Sequence, residues 1–196
     1  KTVLPSATHD GLASLDLALL GAAGFGSWYL GAQDEVRFAG PVVATVANQL
    51  RLDAPVFTAV DAATAVNLTA AALQLGNAVP AAAPAVRADP GAASATFTAR
   101  DIGLIGNFTW NGFATTTLNS TGEIHFDSTA NLAPNRSGGR NFSGQMTAAG
   151  ALAFAAARLS PSVYSDYRVD LTGDPAARIA ISRPAGAVAG PSLAAG

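Results

Sequence analysis

One short apolar pattern recurs through most of this chain. An apolar residue is followed by a spacer that usually contains Thr, Ala or Gly, and then by two apolar residues that flank a single residue. Six copies begin at Leu30, Leu68, Phe97, Leu118, Met146 and Leu171, and a shortened copy begins at Leu52. Because apolar side chains at every second position face one side of an extended chain, each copy predicts a short, half-buried β-strand.

The spacing of the copies predicts how these strands assemble. Successive copies begin 16 to 29 residues apart, with Gly, Asn and Ala at many of the turns between them. Such a repeat of roughly twenty residues is typical of a solenoid whose rungs pair at about 4.8 Å. We therefore predict an all-β, right-handed parallel β-helix with irregular rungs over residues 1–182. A β-sandwich is the alternative, but recurrence of one phrase favours the solenoid. The expected core contains Leu30, Val36, Phe38, Phe97, Ile102, Leu104, Leu118, Ile124, Phe126, Leu152 and Phe154.

Three segments depart from the pattern. Residues 76–92 contain three prolines, which cannot donate to a strand partner, and predict a protruding loop. Residues 127–145 are rich in Asn, Ser and Gly and predict a second, polar loop. Residues 183–196 carry no strand pattern and predict an irregular tail. At the other end, the stretch LASLDLALL (residues 12–20) is interpreted as a strand of an irregular first rung.

Charge and composition exclude several classes of partner and site. Only 12% of the residues are charged, Lys1 is the only lysine, and the arginines are scattered. Without a basic stripe to neutralise phosphates, nucleic acid is not an expected partner. The absence of cysteine excludes disulfides, thiolate catalysis and Cys-ligated metal sites.

The pair Glu123 and His125 is the most conspicuous chemical candidate. Ile124 and Phe126 alternate with it and are expected to point into the core, so Glu123 and His125 face outward. Two outward ligands do not make a metal site, and the only other histidine is His9. We therefore interpret the pair as a solvated surface feature.

A row of carboxylates is a second candidate. Acidic residues precede the paired apolar residues of several copies, at Asp34, Glu35, Asp101 and Glu123. In-register stacking would align them one rung apart, with a gap at Ala71–Ala72, as in a β-helix enzyme acting on polysaccharide. The alternative, which we favour, is that they stabilise the turn before each strand. Phosphate loops, dinucleotide motifs and nucleophile elbows are also absent from the sequence. We predict no catalytic, cofactor-binding or metal-binding residues and no enzymatic activity.

Five of the nine asparagines lie in Asn-x-Ser/Thr sequons, at Asn67, Asn107, Asn119, Asn135 and Asn141. One interpretation is surface glycosylation, which makes these five asparagines candidate modification sites. The other, which we favour, is that Asn and Thr co-occur because both suit the turns and strand edges of a β-helix.

The stretch FTARDIGLIGNFTWNGFATTTLNSTGEIHF, residues 97–126, resembles the shaft repeats of filamentous haemagglutinin-like exoproteins, the large secreted partners of two-partner secretion. LGAQDEVRFAG and LRLDAPVF are similar to the same repeats, and the resemblance covers roughly residues 26–181. It implies export through an outer-membrane transporter and display at the surface of a Gram-negative bacterium. The Asn-rich motifs of the family's secretion domain are not evident, so the chain resembles shaft rather than secretion signal.

We accordingly expect an extracellular structural or adhesive shaft at the bacterial cell surface, mediating attachment or surface filament formation. Its expected partners are a receptor or glycan of a host or neighbouring cell, the transporter during export, and further copies end to end. The alternatives are a polysaccharide-active β-helix enzyme and the stick of a contact-dependent toxin-delivery protein. Because the stretch through Leu20 has no cap-like composition, we expect preceding rungs or another copy to complete the N-terminal end.

The face assignment at residues 123–126 yields a testable prediction. Ile124→Asp is expected to lower the free energy of unfolding by several kcal/mol, because it buries an unpaired charge. Glu123→Ala and His125→Ala are expected to change it by ~0.5 kcal/mol or less. Denaturant titration followed by circular dichroism measures all three variants. A larger loss from His125→Ala than from Ile124→Asp would contradict the assigned register.

Overall fold

Strand pairing dominates the fold. The computed structural model describes residues 13–78, 88–134, 140–162 and 165–187. Within them, 66% of residues form strands and 4% form helix, and the strands build a many-stranded parallel sheet that does not close on itself. The predicted parallel β-helix is therefore confirmed. No helix in this part of the chain is long and apolar enough to cross a membrane.

The described ranges contain one helix and thirteen strands. In chain order they are α1 (Leu17–Ala22), β1 (Ser27–Gly31), β2 (Val36–Phe38), β3 (Pro41–Asp53), β4 (Val56–Ala59), β5 (Ala65–Asn77), β6 (Ala93–Asn111), β7 (Phe113–Asp127), β8 (Thr129–Pro134), β9 (Arg140–Ala148), β10 (Ala151–Ala155), β11 (Arg158–Pro161), β12 (Ser165–Leu171) and β13 (Ile179–Ser182). Of their pairings, only β8 with β9 is antiparallel.

The strands form two faces of the solenoid, sheet A and sheet B. Sheet A has the order β1-β3-β5-β6-β7-β10-β13, with β11 beside the C-terminal part of β7. Sheet B has the order β2-β4-β6-β9-β12. β6 belongs to both, because residues 93–106 pair within sheet A and residues 107–111 pair within sheet B.

Inward-facing residues stack in columns along the rod. One column contains Leu30, Leu52, Leu75, Leu104 and Phe126, and the next contains Trp28, Leu50, Leu73, Ile102 and Ile124. The copies that begin at Leu68, Phe97 and Leu118 stack in register with one another. The copies at Leu30 and Leu52 do not share this register, because both residues lie in the column of Leu75 rather than in that of Leu68. The copy at Met146 is also displaced, since its Leu152 pairs with Thr116. Both halves of a long strand carry the same alternation, so the pattern alone does not reveal which half a copy occupies.

The core lies inside the rod, between the two sheets. Most predicted core residues are buried: Phe38, Phe97, Ile102, Leu104, Leu118, Ile124, Leu152 and Phe154. Leu30, Val36 and Phe126 are partly buried against the same core. An aromatic cluster joins the sheets through ring contacts with centroids 4.9 to 5.9 Å apart, among Phe57, Phe97, Phe108, Trp110 and Phe113.

The N-terminal stretch is a helix, not the predicted strand. Asp16 caps α1, because its Oδ1 accepts a hydrogen bond from the Ala18 backbone N–H at 2.8 Å. Leu17 and Leu20 are three residues apart, so they share a face of α1 and pack against the core. Since α1 contacts β3, a helix packs on this end of the core, and the expectation of an uncapped strand there is wrong.

Among the described strands, the rung that begins with β5 contributes none to sheet B. β5 ends at Asn77, and β4 pairs directly with β6, the strand two rungs along the chain. Gly76 permits a close approach where β5 ends, because a Cβ there would lie 2.1 Å from the Ile105 carbonyl oxygen. Most of the predicted loop, residues 79–87, lies outside the described residues.

The described parts of the segment 127–145 form strands rather than the predicted loop. β8 pairs antiparallel with the first part of β9, and β9 then joins sheet B beside β6. Residues 135–139, between these strands, lie outside the described residues. The tail shows no strand over residues 183–187, and residues 188–196 lie outside the described part of the chain.

The stacked columns predict that one rung can be removed without loss of the fold. Leu50 and Arg51 pair with Leu73 and Gln74, so deleting residues 51–73 joins equivalent positions and keeps every column in register. We expect this variant to unfold cooperatively and to remain β-rich by circular dichroism.

The matched control deletes residues 51–72, one residue fewer. The slip would turn Leu73 and Leu75 outward and Gln74 inward, at a cost of roughly 3 kcal/mol or more relative to the in-register deletion. Thermal denaturation compares the two deletions. Equal stability would show that rung register does not govern this fold.

Candidate functional site

Glu123 and His125 lie on the outer face of sheet A, as their spacing predicts. They alternate along β7 with Ile124, which is fully buried, and Phe126, which is partly buried. The outward direction of the pair is therefore confirmed. The pair is not simply solvated, however, because neither side chain is fully exposed and both belong to a hydrogen-bonded network.

The network forms where β11 pairs with β7 in parallel register. Arg158 lies opposite Glu123, and Ser160 lies opposite His125. The Arg158 guanidinium and the Ser160 hydroxyl both donate to the Glu123 carboxylate. His125 Nδ1 lies 3.3 Å from Glu123 Oε1 and 3.1 Å from Ser160 Oγ. Four side chains from strands about 35 residues apart in sequence are thus joined on the surface.

A second carboxylate and a second serine extend the network beyond His125. His125 Nε2 lies 3.1 Å from both Asp127 Oδ1 and Ser162 Oγ, and the Ser162 hydroxyl also donates to Asp127. The imidazole is therefore held between two carboxylates and two hydroxyls. The sequence did not indicate Ser160 and Ser162, because only strand pairing brings them beside His125.

The order of contacts from Ser162 through His125 to Glu123 is that of a nucleophile, a base and an orienting carboxylate. Both serine hydroxyls, however, donate to carboxylates, and all six side chains bond across or along the β7–β11 pair. The arrangement therefore fastens β11 to β7. With these contacts, the loss expected for Glu123→Ala rises above the small change predicted from the sequence, to roughly 1–2 kcal/mol. Within the described ranges, no three His, Asp or Glu side chains are placed to hold a metal ion.

The predicted acidic row exists only in part. Asp101 pairs in register with Glu123 on the neighbouring rung, and Ala72 pairs with Asp101, so the expected gap is present. Glu35 does not join the row: it directly precedes β2 of sheet B and accepts a hydrogen bond from the Thr58 hydroxyl at 2.8 Å. The prediction was wrong for Glu35 because the copy at Leu30 begins in β1 of sheet A and continues into β2 of sheet B.

The opposite end of the same face carries a group that the sequence did not indicate. The Asp53 carboxylate, almost fully buried, accepts from Arg51 at 2.6 Å, from the Tyr29 hydroxyl at 3.2 Å and from the Ala78 backbone N–H at 2.9 Å. The Arg51 guanidinium also lies 4.8 Å from the centre of the Tyr29 ring, within range of a cation–π interaction. The only sign of this group in the sequence was the position of Asp53 directly after Leu50 and Leu52, the apolar pair of β3.

One outward-facing row of sheet A runs from the Asp53 group to the His125 network, and we call this row the polar strip. Its members, each the register partner of the next, are Tyr29, Arg51, Gln74, Gly103, His125 and Ser160. Gly103 forms a low point in the row: a Cβ there would lie no closer than 3.8 Å to Gln74 and 3.9 Å to Asp127. The polar strip is therefore a shallow surface in which Gly103 has no side chain and is flanked by the side chains of Gln74 and Asp127.

An apolar cavity of about 280 Å³ lies where β11 and β12 end the rod. It is lined by Phe126, Leu159, Ser160, Pro161, Tyr167 and Val169. The Tyr167 hydroxyl has no hydrogen-bond partner among the described residues. Burial first, and the nearby Asp127 carboxylate second, raise the pKa of Tyr167 well above its usual range. The cavity therefore holds a neutral phenol and no carboxylate.

The sequon asparagines fall in different settings. Asn67 is exposed on the outer face of sheet A, and Asn119 is half-exposed on the same face. Asn107 is half-exposed at the start of the sheet B part of β6. Asn135 lies outside the described residues, and Asn141 is placed only as a backbone position in β9.

Comparison of the chain with protein-family models, with curated proteins and with solved structures gives no match. Its function must therefore be inferred from its own geometry.

The buried Asp53 carboxylate yields a testable prediction. Asp53→Ala is expected to lower the free energy of unfolding by about 2 kcal/mol, because three donors lose their shared, buried acceptor. Asp101→Ala is the matched control: its carboxylate is about half exposed and, among the described residues, forms an ion pair with Arg100 alone, so the expected change is ~0.5 kcal/mol or less. Denaturant titration of both variants checks the difference. Equal losses would show that Asp53 does not fasten β1, β3 and the end of β5.

Proposed function

We propose that this chain is a structural and adhesive shaft segment of a large exported protein at a bacterial cell surface. The observation that carries the proposal is the continuous register of the columns, which runs from Trp28 in β1 to Leu159 in β11. Each rung is bonded to its neighbours along the whole of that path. A solenoid of this kind lengthens by adding rungs, each of which contacts only its neighbours.

The outer surface suits such a role. The outward positions on the first halves of β5, β6 and β7 are small and polar: Asn67, Thr69, Ser94, Thr96, Thr98, Thr115, Thr117 and Asn119. They form ladders along the rod, for example from Thr69 to Thr98 to Asn119. Small polar ladders keep the rod soluble along its sides. Asn67 and Asn119 also remain candidate sites of glycosylation on this face.

We assign the adhesive contact to the polar strip. The charges in the strip and directly beside it are nearly balanced, since the neighbouring carboxylates of Asp53, Glu123 and Asp127 face the guanidinium groups of Arg51 and Arg158. Tyr29 is largely exposed and offers an aromatic ring, and Gln74 offers amide groups beside the Gly103 gap. Such a surface suits an uncharged or weakly charged glycan, or a receptor that carries one, on a host or neighbouring cell.

The reading as a polysaccharide-active enzyme is less well supported. Asp101 and Glu123 are neighbours, but each forms an ion pair with an arginine, Arg100 and Arg158 respectively. A general acid and base would need at least one carboxylate directed at substrate. The same shaft would also serve as the stick of a toxin-delivery protein, with export through an outer-membrane transporter in either case.

Adhesion of coated beads tests the proposal. Beads carrying the folded chain are expected to adhere to cultured epithelial cells more strongly than beads carrying heat-denatured chain, and periodate oxidation of cell-surface glycans should abolish the difference. Tyr29→Ala with Gln74→Ala should reduce adhesion to background. Thr45→Ala with Thr69→Ala, on the other half of the same face, should leave it unchanged. Folded and denatured coatings that adhere equally would refute the adhesive role.

A further inference from the structure

Large apolar side chains are exposed at both ends of the rod. At the C-terminal end, Ile179 and Ile181 of β13 are 42% and 68% exposed. Their register partners in β10 are Leu152 and Phe154, both buried, so the isoleucines continue columns of the core. A core column that reaches the surface exposes apolar area that one further layer would cover.

The N-terminal end is apolar for a different reason. α1 buries Leu17 and Leu20 against the core and leaves Leu19 on its other side, 70% exposed. Leu15, just before the helix, and Phe25, just after it, are also exposed. Helix α1 therefore packs against β3 with one face and leaves Leu19 exposed on another.

Both ends also present unpaired strand edges of the same two sheets. Among the described strands, β1 and β2 pair on one side only, with β3 and β4, and β11 and β12 pair only with β7 and β9. The columns connect these edges: the Trp28 column ends at Leu159, and the Val36 column of sheet B ends at Leu171. The two ends thus match in sheet order and in strand direction.

We propose that this chain assembles head to tail, the C-terminal end of one copy docking on the N-terminal end of the next. Ile179 and Ile181 pack toward Leu19 of α1 and Leu15 just before it, and the open edges of sheets A and B face the corresponding edges of the next copy. Only stacking in one direction keeps all strands parallel. The contact joins two different surfaces, so it is open-ended and produces a filament. The polar strip runs along the side of the rod and stays accessible.

Sedimentation velocity on single-end variants tests this geometry. Wild type is expected to show a weight-average mass that rises with concentration beyond that of a dimer. Ile181→Lys blocks the C-terminal end and Leu19→Lys blocks the N-terminal end, so each variant alone should remain a monomer. An equimolar mixture of the two retains one intact joint per pair and should reach twice the monomer mass, but no more.

The matched control is Thr69→Lys. Thr69 is exposed on the outer face of β5, and it has a register partner on both sides, Thr45 of β3 and Thr98 of β6, so it lies away from the ends. This variant should assemble like wild type, and unchanged circular dichroism and thermal stability confirm that all three variants are folded. Ile179→Lys replaces Ile181→Lys if the latter unfolds.

Three results would overturn the proposal. Wild type that stays monomeric at every concentration shows that the ends are covered by the chain's own residues. Either single variant that still dimerises shows a two-fold joint between like ends. Loss of assembly in Thr69→Lys places the contact on the side of the rod. Each result leaves the shaft proposal standing, because a rung of a longer chain can cover the same end, so the two proposals fail separately.

Discussion

Parallel pairing between successive rungs is the constraint on which the rest of this structure depends. A strand has two faces, and a slip of one residue exchanges them, so register decides which side chains enter the core. Here the partners of Leu52, Leu75 and Leu104 hold each rung in the position that its neighbours require. Surface chemistry follows from the same constraint, since the residues between the apolar ones are turned outward in equally strict rows.

The core adapts where the rungs are unequal. Sheet B omits the rung of β5, so β4 pairs directly with β6 and Phe57 comes opposite Trp110. The two rings lie 4.9 Å apart, and Trp110 also contacts Phe97 of sheet A. Elsewhere many inward positions are alanine, as at Ala44, Ala70 and Ala95. Bulky aromatic residues thus occupy the place where a strand is missing, and small residues occur where the rungs are complete.

The outer face separates two kinds of surface on one sheet. The first halves of the long strands carry small polar ladders, and the second halves carry the polar strip with its buried Asp53 at one end and the His125 network at the other. Both groups fasten neighbouring rungs by side-chain bonds in addition to the backbone ladder. A single rigid face can therefore combine mechanical cohesion with a surface for contact, which is what an adhesive shaft needs.

The sequence by itself determined the all-β class, the parallel solenoid and the outward direction of Glu123 and His125, because alternation with period two is a local property of a strand. It also located the gap at Ala72 in the acidic row. Three predictions from the sequence were wrong: the place of Glu35 in the acidic row, a strand in the N-terminal stretch, and a loop over residues 127–145. Period two does not distinguish the two halves of a rung, and a six-residue helix carries too little periodicity to outweigh its leucines.

Only the tertiary structure decided which residues meet. Arg158, Ser160 and Ser162 reach the Glu123–His125 pair from about 35 residues away, and Tyr29 reaches Asp53 from 24 residues away. Whether two outward groups become neighbours depends on the number of residues in the rung between them. That number varies with the length of the segments that connect the strands. Local pattern determines the face of a residue, whereas its neighbours on that face depend on register across the sheet, and that register is set by pairing between distant strands.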